Sequence, residues 1–121
     1  MIVKEKMHFV GSLPRIKEGE IWWYAAGENV GVEINGKNDT FSRPILILKK
    51  FGALSFLGIP LSTKEHTGSW YADFIFNNQK ITAALSQIRL VGTSRLYNKM
   101  GQIPENDFVK VKTALHELLF G

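Results

Sequence analysis

The amino-acid sequence predicts a mainly β protein (α+β) that ends in a helix. Apolar and aromatic residues fall in short runs of about four to eight, the usual length of a strand. Clusters of polar turn-forming residues separate these runs, and helical spacing of apolar residues is clear only from Glu105 onward. Strands this short must curl onto one another or onto the helix to close a core. We therefore expect a small barrel of about six or seven antiparallel strands.

Length and composition limit the classes of protein to consider. The 121 residues suffice for one domain, and 45% of them are hydrophobic, as in an ordinary globular protein. The absence of cysteine removes disulfides and thiolate chemistry, and the three histidines lack metal-ligand spacing, so we expect no cofactor. No apolar run approaches the roughly 20 residues of a membrane helix, and residues 1–10 lack the apolar stretch of a signal peptide. We expect a cytoplasmic protein without membrane contact.

The first third of the chain is predicted to hold an arm, two strands and a polar loop. Residues 1–18 show weak periodicity and are interpreted as an N-terminal arm, which leaves a domain at 19–121. Residues 20–25 carry Trp22 and Trp23, which point to opposite faces of a strand, so one should enter the core. Residues 30–34 alternate as a second strand, and the loop that follows brings Lys37 toward the next strand.

The centre of the chain is predicted to be a hairpin. Ile45 to Leu48 is an apolar run preceded by Pro44, and a second apolar run covers residues 54–61 after a break at 49–52. In an antiparallel pair, the start of the first strand faces the end of the second. The sequence therefore places Arg43 near the hydroxyls of Ser62 and Thr63.

A guanidinium beside hydroxyls suits a phosphate or a carboxylate, because its donors form a rigid fork that matches paired anionic oxygens. The alternative for Arg43 is an ordinary solvated or ion-paired arginine.

The rest of the chain is predicted to hold further strands, a basic segment and the helix. Residues 70–76 and 80–85 read as strands joined by a turn, and residues 64–69 form a polar loop beside Ser62. Between residues 86 and 100 there are three bases and no acid, in a chain of net charge +4, which permits a polyanionic partner. Residues 105–119 are predicted to be the helix, with apolar residues at helical spacing and Pro104 at its start.

Six short motifs in this order resemble those of the PemK/MazF family of toxin endoribonucleases. They are Gly19-Glu20-Ile21-Trp22, Gly31-Val32-Glu33 with Gly36-Lys37, Arg43-Pro44-Ile45-Leu46-Ile47-Leu48, Ile59-Pro60-Leu61-Ser62-Thr63, Leu85-Ser86-Gln87-Ile88-Arg89 and Ser94-Arg95-Leu96. The resemblance implies an SH3-like barrel with a C-terminal helix and a homodimer. It also implies metal-independent cleavage of single-stranded mRNA at a short sequence, and a cognate antitoxin whose acidic tail occupies the RNA groove.

The resemblance also implies roles for individual residues. Arg43 matches the catalytic arginine of the family, and Ser62 stands where the family usually has a catalytic threonine, with Thr63 beside it as a possible substitute.

The resemblance and the charge pattern name five RNA-binding candidates. Glu33 and Lys37 match the loop that borders the cleavage site, Gln87 belongs to the Gln-Ile-Arg motif near the RNA, and Arg89 and Arg95 belong to the basic segment. Ser86 departs from the family in a position where many relatives have an acid, and the loop before Arg43 is longer than in compact members.

Metal-free RNA cleavage is consistent with these residue types. When the 2′-hydroxyl attacks the adjacent phosphate, negative charge grows on the non-bridging oxygens, and an arginine with a hydroxyl donor stabilises it. Arginine is a poor general base, so proton transfer is unassigned, with His66 as a candidate carrier.

Two alternatives remain open. One is a CcdB-like gyrase poison, which shares the barrel but acts through its C-terminal helix, and the other is a non-catalytic RNA- or protein-binding barrel.

Overall fold

The computed structural model describes residues 13–26 and 42–121, and within these ranges the chain forms seven strands and one α-helix. The strands are β1 (Glu20–Ala25), β2 (Ser42–Phe51), β3 (Ser55–Ser62), β4 (Tyr71–Phe76), β5 (Gln79–Ala84), β6 (Arg89–Gly92) and β7 (Leu96–Gln102), and the helix is α1 (Glu105–Phe120). Two 3₁₀ turns, Leu85–Gln87 and Thr93–Arg95, flank β6. The strand predicted at 30–34 and the loop that carries Lys37 lie outside the described residues.

The seven strands form one mostly antiparallel sheet in the order β4-β5-β3-β2-β1-β7, with β6 paired to β3. The strand β3 changes partners along its length. Its first part pairs with β2 and β6, and its last two residues pair with β5. Along one edge of β3 the sheet therefore continues first into β6 and then into β5. Within the described ranges its end strands β4 and β7 do not pair with each other, so hydrogen bonds between these strands do not close the sheet into a barrel. The mainly β prediction with a C-terminal helix is confirmed.

The β2–β3 hairpin confirms the predicted antiparallel pair and extends it. Gly52 makes the turn with a φ of 71°, a left-handed conformation that glycine adopts without strain. The strand β2 begins at Ser42, so Pro44 lies inside it and not at its first position. The β2–β3 ladder ends at the pair Ile45–Pro60. Because no β3 residue pairs with Pro44, its missing N–H removes no hydrogen bond from that ladder.

Both faces of the central strands are buried. One apolar cluster includes Ile21, Leu46 and Ile59 together with Val111 and Leu115 of α1. The residues of the second cluster lie on the opposite face, because strand neighbours alternate in direction. These are Ile16, Trp22, Tyr24, Ile45, Ile47, Phe56, Val91 and Leu96. Trp22 therefore enters the core while Trp23 is half-buried, as expected for adjacent tryptophans. Ile16 precedes the predicted domain start at residue 19, and that boundary stays a prediction.

The helix α1 packs on the face of the sheet that carries the first apolar cluster. It packs against β4 and against the 3₁₀ turn Leu85–Gln87. Pro104 precedes its first residue, and Glu105 and Asp107 place negative charge in the first turn, where the positive end of the helix dipole lies. No described helix has the length and apolar character needed to cross a membrane. Because α1 supports the turn, it also positions Gln87.

A buried carboxylate joins β1 to β7 at the end of the sheet where β1 begins. Glu20 is 3% exposed, and its Oε1 accepts hydrogen bonds from Trp22 Nε1 at 2.9 Å and from the Lys17 amide at 3.0 Å. Its Oε2 lies 2.9 Å from Lys99 Nζ. Burial alone would raise the pKa of Glu20, but the hydrogen bonds from Trp22, Lys99 and Lys17 outweigh it, and the pKa is lowered. Glu20 is therefore a charged structural residue.

Candidate active site

A cleft of about 220 Å³ opens where β2 begins and β3 ends. It is lined by residues of four strands, the 64–69 loop and a 3₁₀ turn: Arg43, Pro60, Leu61, Ser62, Lys64, His66, Tyr71, Thr82, Ala84 and Gln87. A larger cavity of about 670 Å³ lies near the opposite end of β2, against Glu20, Lys50 and Lys99, and contains none of the predicted site residues. The predicted catalytic pair Arg43 and Ser62 thus falls in the smaller cleft.

The sheet register brings Arg43 to the cleft. Arg43 pairs with the buried Tyr24 of β1, which holds its backbone in place. The last β2–β3 pair is Ile45–Pro60. When the same register is continued by two residues, Arg43 of β2 lies across from Ser62 of β3. The Arg43 side chain is exposed, and no hydrogen bond or ion pair joins it to another residue in ranges 13–26 and 42–121. Its guanidinium is therefore available to an external anion.

The hydroxyl of Ser62 is oriented by the chain that follows it. Ser62 is the last residue of β3 and pairs with Thr82 of β5. Its Oγ accepts a hydrogen bond of 3.0 Å from the backbone N–H of Lys64. Because that bond uses a lone pair of the oxygen, the O–H proton remains free to be donated. Thr63 is exposed and does not line the cleft, so the structure brings Ser62 and not Thr63 together with Arg43.

The charges that line the cleft are positive. Arg43 and Lys64 contribute two cations, and none of the described lining residues is a carboxylate. Thr82, a buried lining residue, donates a 2.9 Å hydrogen bond to Oδ1 of Asp73, whose Oδ2 lies 3.6 Å from Lys80 Nζ. Within the described ranges, no three histidine or acidic side chains converge to hold a metal ion. The cleft therefore offers cations and hydroxyls to an anionic group.

Two rings form one wall of the cleft. His66 lies parallel to Tyr71, with ring centroids 4.7 Å apart and an angle of 13° between the planes. Sequence reasoning treated His66 only as a candidate proton carrier and did not place Tyr71, Lys64 or Thr82 in the site. The signal that could have found Tyr71 is its position at the start of the strand that follows the loop beside Ser62.

The structure separates the predicted RNA-binding residues. Gln87 lines the cleft, whereas Arg89 of β6 is exposed outside it. The Arg95 guanidinium donates to the carbonyl oxygen of Ala25 at 3.1 Å. Since Ala25 pairs with the residue before Arg43, Arg95 lies at the same end of the sheet, beside the neighbouring strand.

The loop residues Glu33 and Lys37 lie outside the described residues, so their predicted place beside the cleft stays a prediction.

Comparison with protein families gives one result. Residues 17–119 match the family described as the PemK-like, MazF-like toxin of type II toxin–antitoxin systems. A search of curated protein sequences finds no significant match.

Solved structures of several toxins share the fold. An endoribonuclease in complex with its cognate antitoxin from a mycobacterial species has a TM-score of 0.69 at 15% identity, covering 87% of this chain and 95% of that one. A second mycobacterial endoribonuclease has a TM-score of 0.65 at 15% identity, with 89% and 94% covered. A MazE–MazF structure from Deinococcus radiodurans has a TM-score of 0.63 at 14% identity, with 89% and 96% covered. At these identities the likeness concerns the fold.

Proposed function

The chain belongs to the PemK-like, MazF-like toxins of type II toxin–antitoxin systems, and from this membership we propose that it is an endoribonuclease. In this proposal it cleaves single-stranded mRNA at a specific sequence without a metal ion. The observation that carries the proposal is the position of Arg43, which faces Ser62 in a cationic cleft and has no partner among the described residues. Two structures that share the fold are themselves endoribonucleases.

The proposed reaction is an internal phosphoryl transfer. The 2′-oxygen forms a bond to the adjacent phosphorus while the bond from phosphorus to the 5′-oxygen breaks, which leaves a 2′,3′-cyclic phosphate and a 5′-hydroxyl. One proton leaves the 2′-oxygen and one is taken up by the 5′-oxygen, so no net proton is consumed. The cleft supplies no redox or covalent step. Its contribution is to hold the phosphate and to stabilise the charge that develops on it.

The two catalytic residues have separate tasks in this mechanism. The guanidinium of Arg43 presents two parallel N–H donors to the non-bridging oxygens, a geometry that an ammonium cannot reproduce. The Ser62 hydroxyl, held by the Lys64 amide at 3.0 Å, donates one further hydrogen bond. The Lys64 side chain, which also lines the cleft, adds positive charge. Thr63 is proposed only as a substitute donor, because it does not line the cleft.

The RNA strand is proposed to extend from the cleft along the basic residues of the same end of the sheet. Gln87, which lines the cleft, would hydrogen-bond a nucleotide there, and Arg95 lies beside the strand next to Arg43. Arg89 would contact a phosphate farther along the strand. Glu33 and Lys37 would border the scissile phosphate, as the family resemblance implies.

The proposed partners are a cognate antitoxin and a second copy of the chain, in the cytoplasm. An acidic antitoxin segment would compete with RNA for the same cationic cleft. Trp22 and Tyr71 are engaged within the chain, because Trp22 is in the core and Tyr71 stacks on His66. Exposed apolar side chains on and near the β2–β3 hairpin, such as Leu54 at 61%, remain available for an interface. Sedimentation equilibrium at micromolar concentration tests this proposal, and a monomer would contradict it.

The decisive test is cleavage of a mixed RNA pool in the presence of EDTA, with the ends of the products identified. We expect 2′,3′-cyclic phosphate ends. The variant Arg43→Ala should cleave roughly 10²–10³-fold more slowly, the usual effect of removing one donor to a developing charge. Arg43→Lys should remain badly impaired because it keeps the charge and loses the fork.

The matched control is Lys49→Ala, which removes an exposed base farther along the same strand. It should cleave at the parental rate. Thermal melts of all variants should coincide, since Arg43 is exposed and unpaired among the described residues. Parental activity in Arg43→Ala would show that the active site is misassigned. Absence of cleavage together with inhibition of DNA gyrase would favour the CcdB-like alternative, and binding without either effect would favour a non-catalytic barrel.

A further inference from the structure

We propose that the stacked rings of His66 and Tyr71 are a platform for a nucleobase, and that the base of a nucleotide next to the scissile phosphate stacks on the open face of His66. The inference rests on the proposed function, because it takes single-stranded RNA as the ligand. It adds a positioning and specificity contact to the phosphate contacts of Arg43 and Ser62.

The geometry of the two rings allows a nucleobase to stack on them as a third ring. Their centroids are 4.7 Å apart and their planes differ by 13°, so one face of His66 lies against Tyr71. His66 is exposed, which leaves its other face available for a ligand. Both residues line the cleft that contains Arg43 and Ser62. A base that extends the column would therefore belong to a nucleotide whose phosphate lies within reach of these two residues.

The loop that carries His66 is held in this position by the chain around it. The N–H of Tyr71 donates to the carbonyl oxygen of Gly68 at 3.2 Å, which closes a turn just before β4. Glu65 lies 3.5 Å from Lys80 Nζ of β5. These contacts are individually weak, because the ion pair is exposed. Together with the stack, however, they constrain the residues on both sides of His66, so a base would meet a ring already oriented for stacking.

Stacking explains features that a purely structural role for His66 does not. An exposed imidazole on a half-buried tyrosine removes little apolar surface from water, so the pair stabilises the fold only slightly. Aromatic side chains in nucleic-acid clefts commonly hold unpaired bases, because every base has a flat π face. The cleft also offers cations for the backbone, Arg43 and Lys64. Single-stranded RNA requires cations that bind its phosphates and a ring on which a base can stack, and the cleft provides both.

The test measures binding without cleavage. The probe is a randomised single-stranded oligonucleotide with 2′-fluoro sugars, which lacks the attacking 2′-hydroxyl, and with one 2-aminopurine at its centre. Stacking of this base on a ring quenches its fluorescence. We compare the parental protein with His66→Ala, which removes the ring, and with His66→Phe, which keeps a ring but removes both nitrogens. The control is His116→Ala, since His116 of α1 is also exposed and contacts a ring, that of Phe120 at 5.2 Å.

We expect the parental protein, His116→Ala and His66→Phe to quench the probe and to bind with similar Kd. His66→Ala should lose the quench and bind about 5- to 150-fold more weakly, the range for loss of one base–aromatic stack. Unchanged binding and quenching in His66→Ala would overturn the inference. Equal defects in His66→Ala and His66→Phe would also overturn it, because they would show that the nitrogens and not the ring are needed.

Failure of the inference and failure of the proposed function give different results. Cleavage of natural RNA by the parental protein, with no effect of His66→Ala on quenching, refutes the platform and leaves the nuclease proposal standing. Quenching that depends on His66, without cleavage of any natural RNA, refutes the nuclease proposal and leaves the platform as part of an RNA-binding site.

Discussion

The buried carboxylate of Glu20 should make a large contribution to stability, and the variant Glu20→Gln measures it. Glu20 is the acidic member of a network that joins β1 to Lys99 of β7 and to the backbone just before β1. Glutamine is nearly the same size, so the change removes the charge without opening a cavity. We expect the free energy of unfolding to fall by about 2–3 kcal/mol at neutral pH.

The magnitude follows from the three contacts. Glutamine can keep an oxygen toward Trp22 Nε1 and the Lys17 amide, which lie 2.9 and 3.0 Å from Oε1. Its amide NH₂ then faces Lys99 Nζ, where Oε2 now lies at 2.9 Å, and two donors meet. Breaking a fully buried pair costs about 3–5 kcal/mol. The lower range applies here because the Lys99 side chain is 47% exposed and its ammonium can turn into water. For a chain of this size the melting temperature should fall by roughly 6–15 °C.

The effect should depend on pH with a defined sign. Burial tends to raise the pKa of Glu20, but its hydrogen bonds to Trp22, Lys99 and Lys17 lower it overall. A group whose pKa is lower in the folded state stabilises the fold above its unfolded pKa, about 4.3, and that stabilisation is lost as the pH falls through the folded pKa. The difference in unfolding free energy between parent and Glu20→Gln should therefore shrink on acidification from pH 6 to pH 3.

Denaturant unfolding at several pH values is the assay. The variant Lys99→Met is the complementary test, because it leaves the buried carboxylate of Glu20 its two other hydrogen bonds but no cation, and it should cost at least as much as Glu20→Gln. Equal stability of Glu20→Gln and the parent at pH 6, or a difference that grows on acidification, would refute this account of the network.

Three further predictions follow from the site and the core. Ser62→Ala should slow RNA cleavage by less than Arg43→Ala does, because it removes one neutral donor, whereas Thr63→Ala should change the initial rate by less than about threefold. RNA affinity should fall as the salt concentration rises, and the slope of log affinity against log salt should lie between roughly −2 and −3 for three or four phosphate contacts. A filter-binding series at several salt concentrations measures the slope, and a flat response would contradict the prediction. Val111→Ala, in the fully buried centre of α1, should lower the free energy of unfolding by about 1–3 kcal/mol without changing the kinetics of cleavage by the folded protein.

The sequence predicted well those features that depend on local pattern. Antiparallel pairing follows from two apolar runs and a short turn, and it was enough to place Arg43 across from Ser62. The helix followed from the spacing of Val111 and Leu115, which are buried as expected. In both cases the relevant partners are near in sequence or share one simple period, so few alternative arrangements compete.

Features that depend on distant parts of the chain could not be predicted. The burial of Glu20 requires Lys99, almost 80 residues later, and an acid near a strand start is normally solvated. The stack of His66 on Tyr71 depends on the path of a polar loop, which periodicity does not determine. The change of partners along β3 is also non-local, because its first residues pair with β6 and its last two with β5, and the second pairing brings Thr82 beside Ser62.

The two ends of the sheet differ in how their charged side chains are paired, and this contrast supports the proposed position of the active site. At one end, Lys99 is paired with a carboxylate that is almost fully buried, because an unpaired charge there would be costly. At the other end, Arg43 is exposed and has no partner among the described residues, at little cost because water solvates it. In the proposed mechanism, a phosphate that enters the cleft replaces that water with a bidentate contact, and its binding breaks no ion pair between Arg43 and a described residue. In the proposed mechanism, the positive charge that meets the substrate is thus one that has no internal ion pair among the described residues.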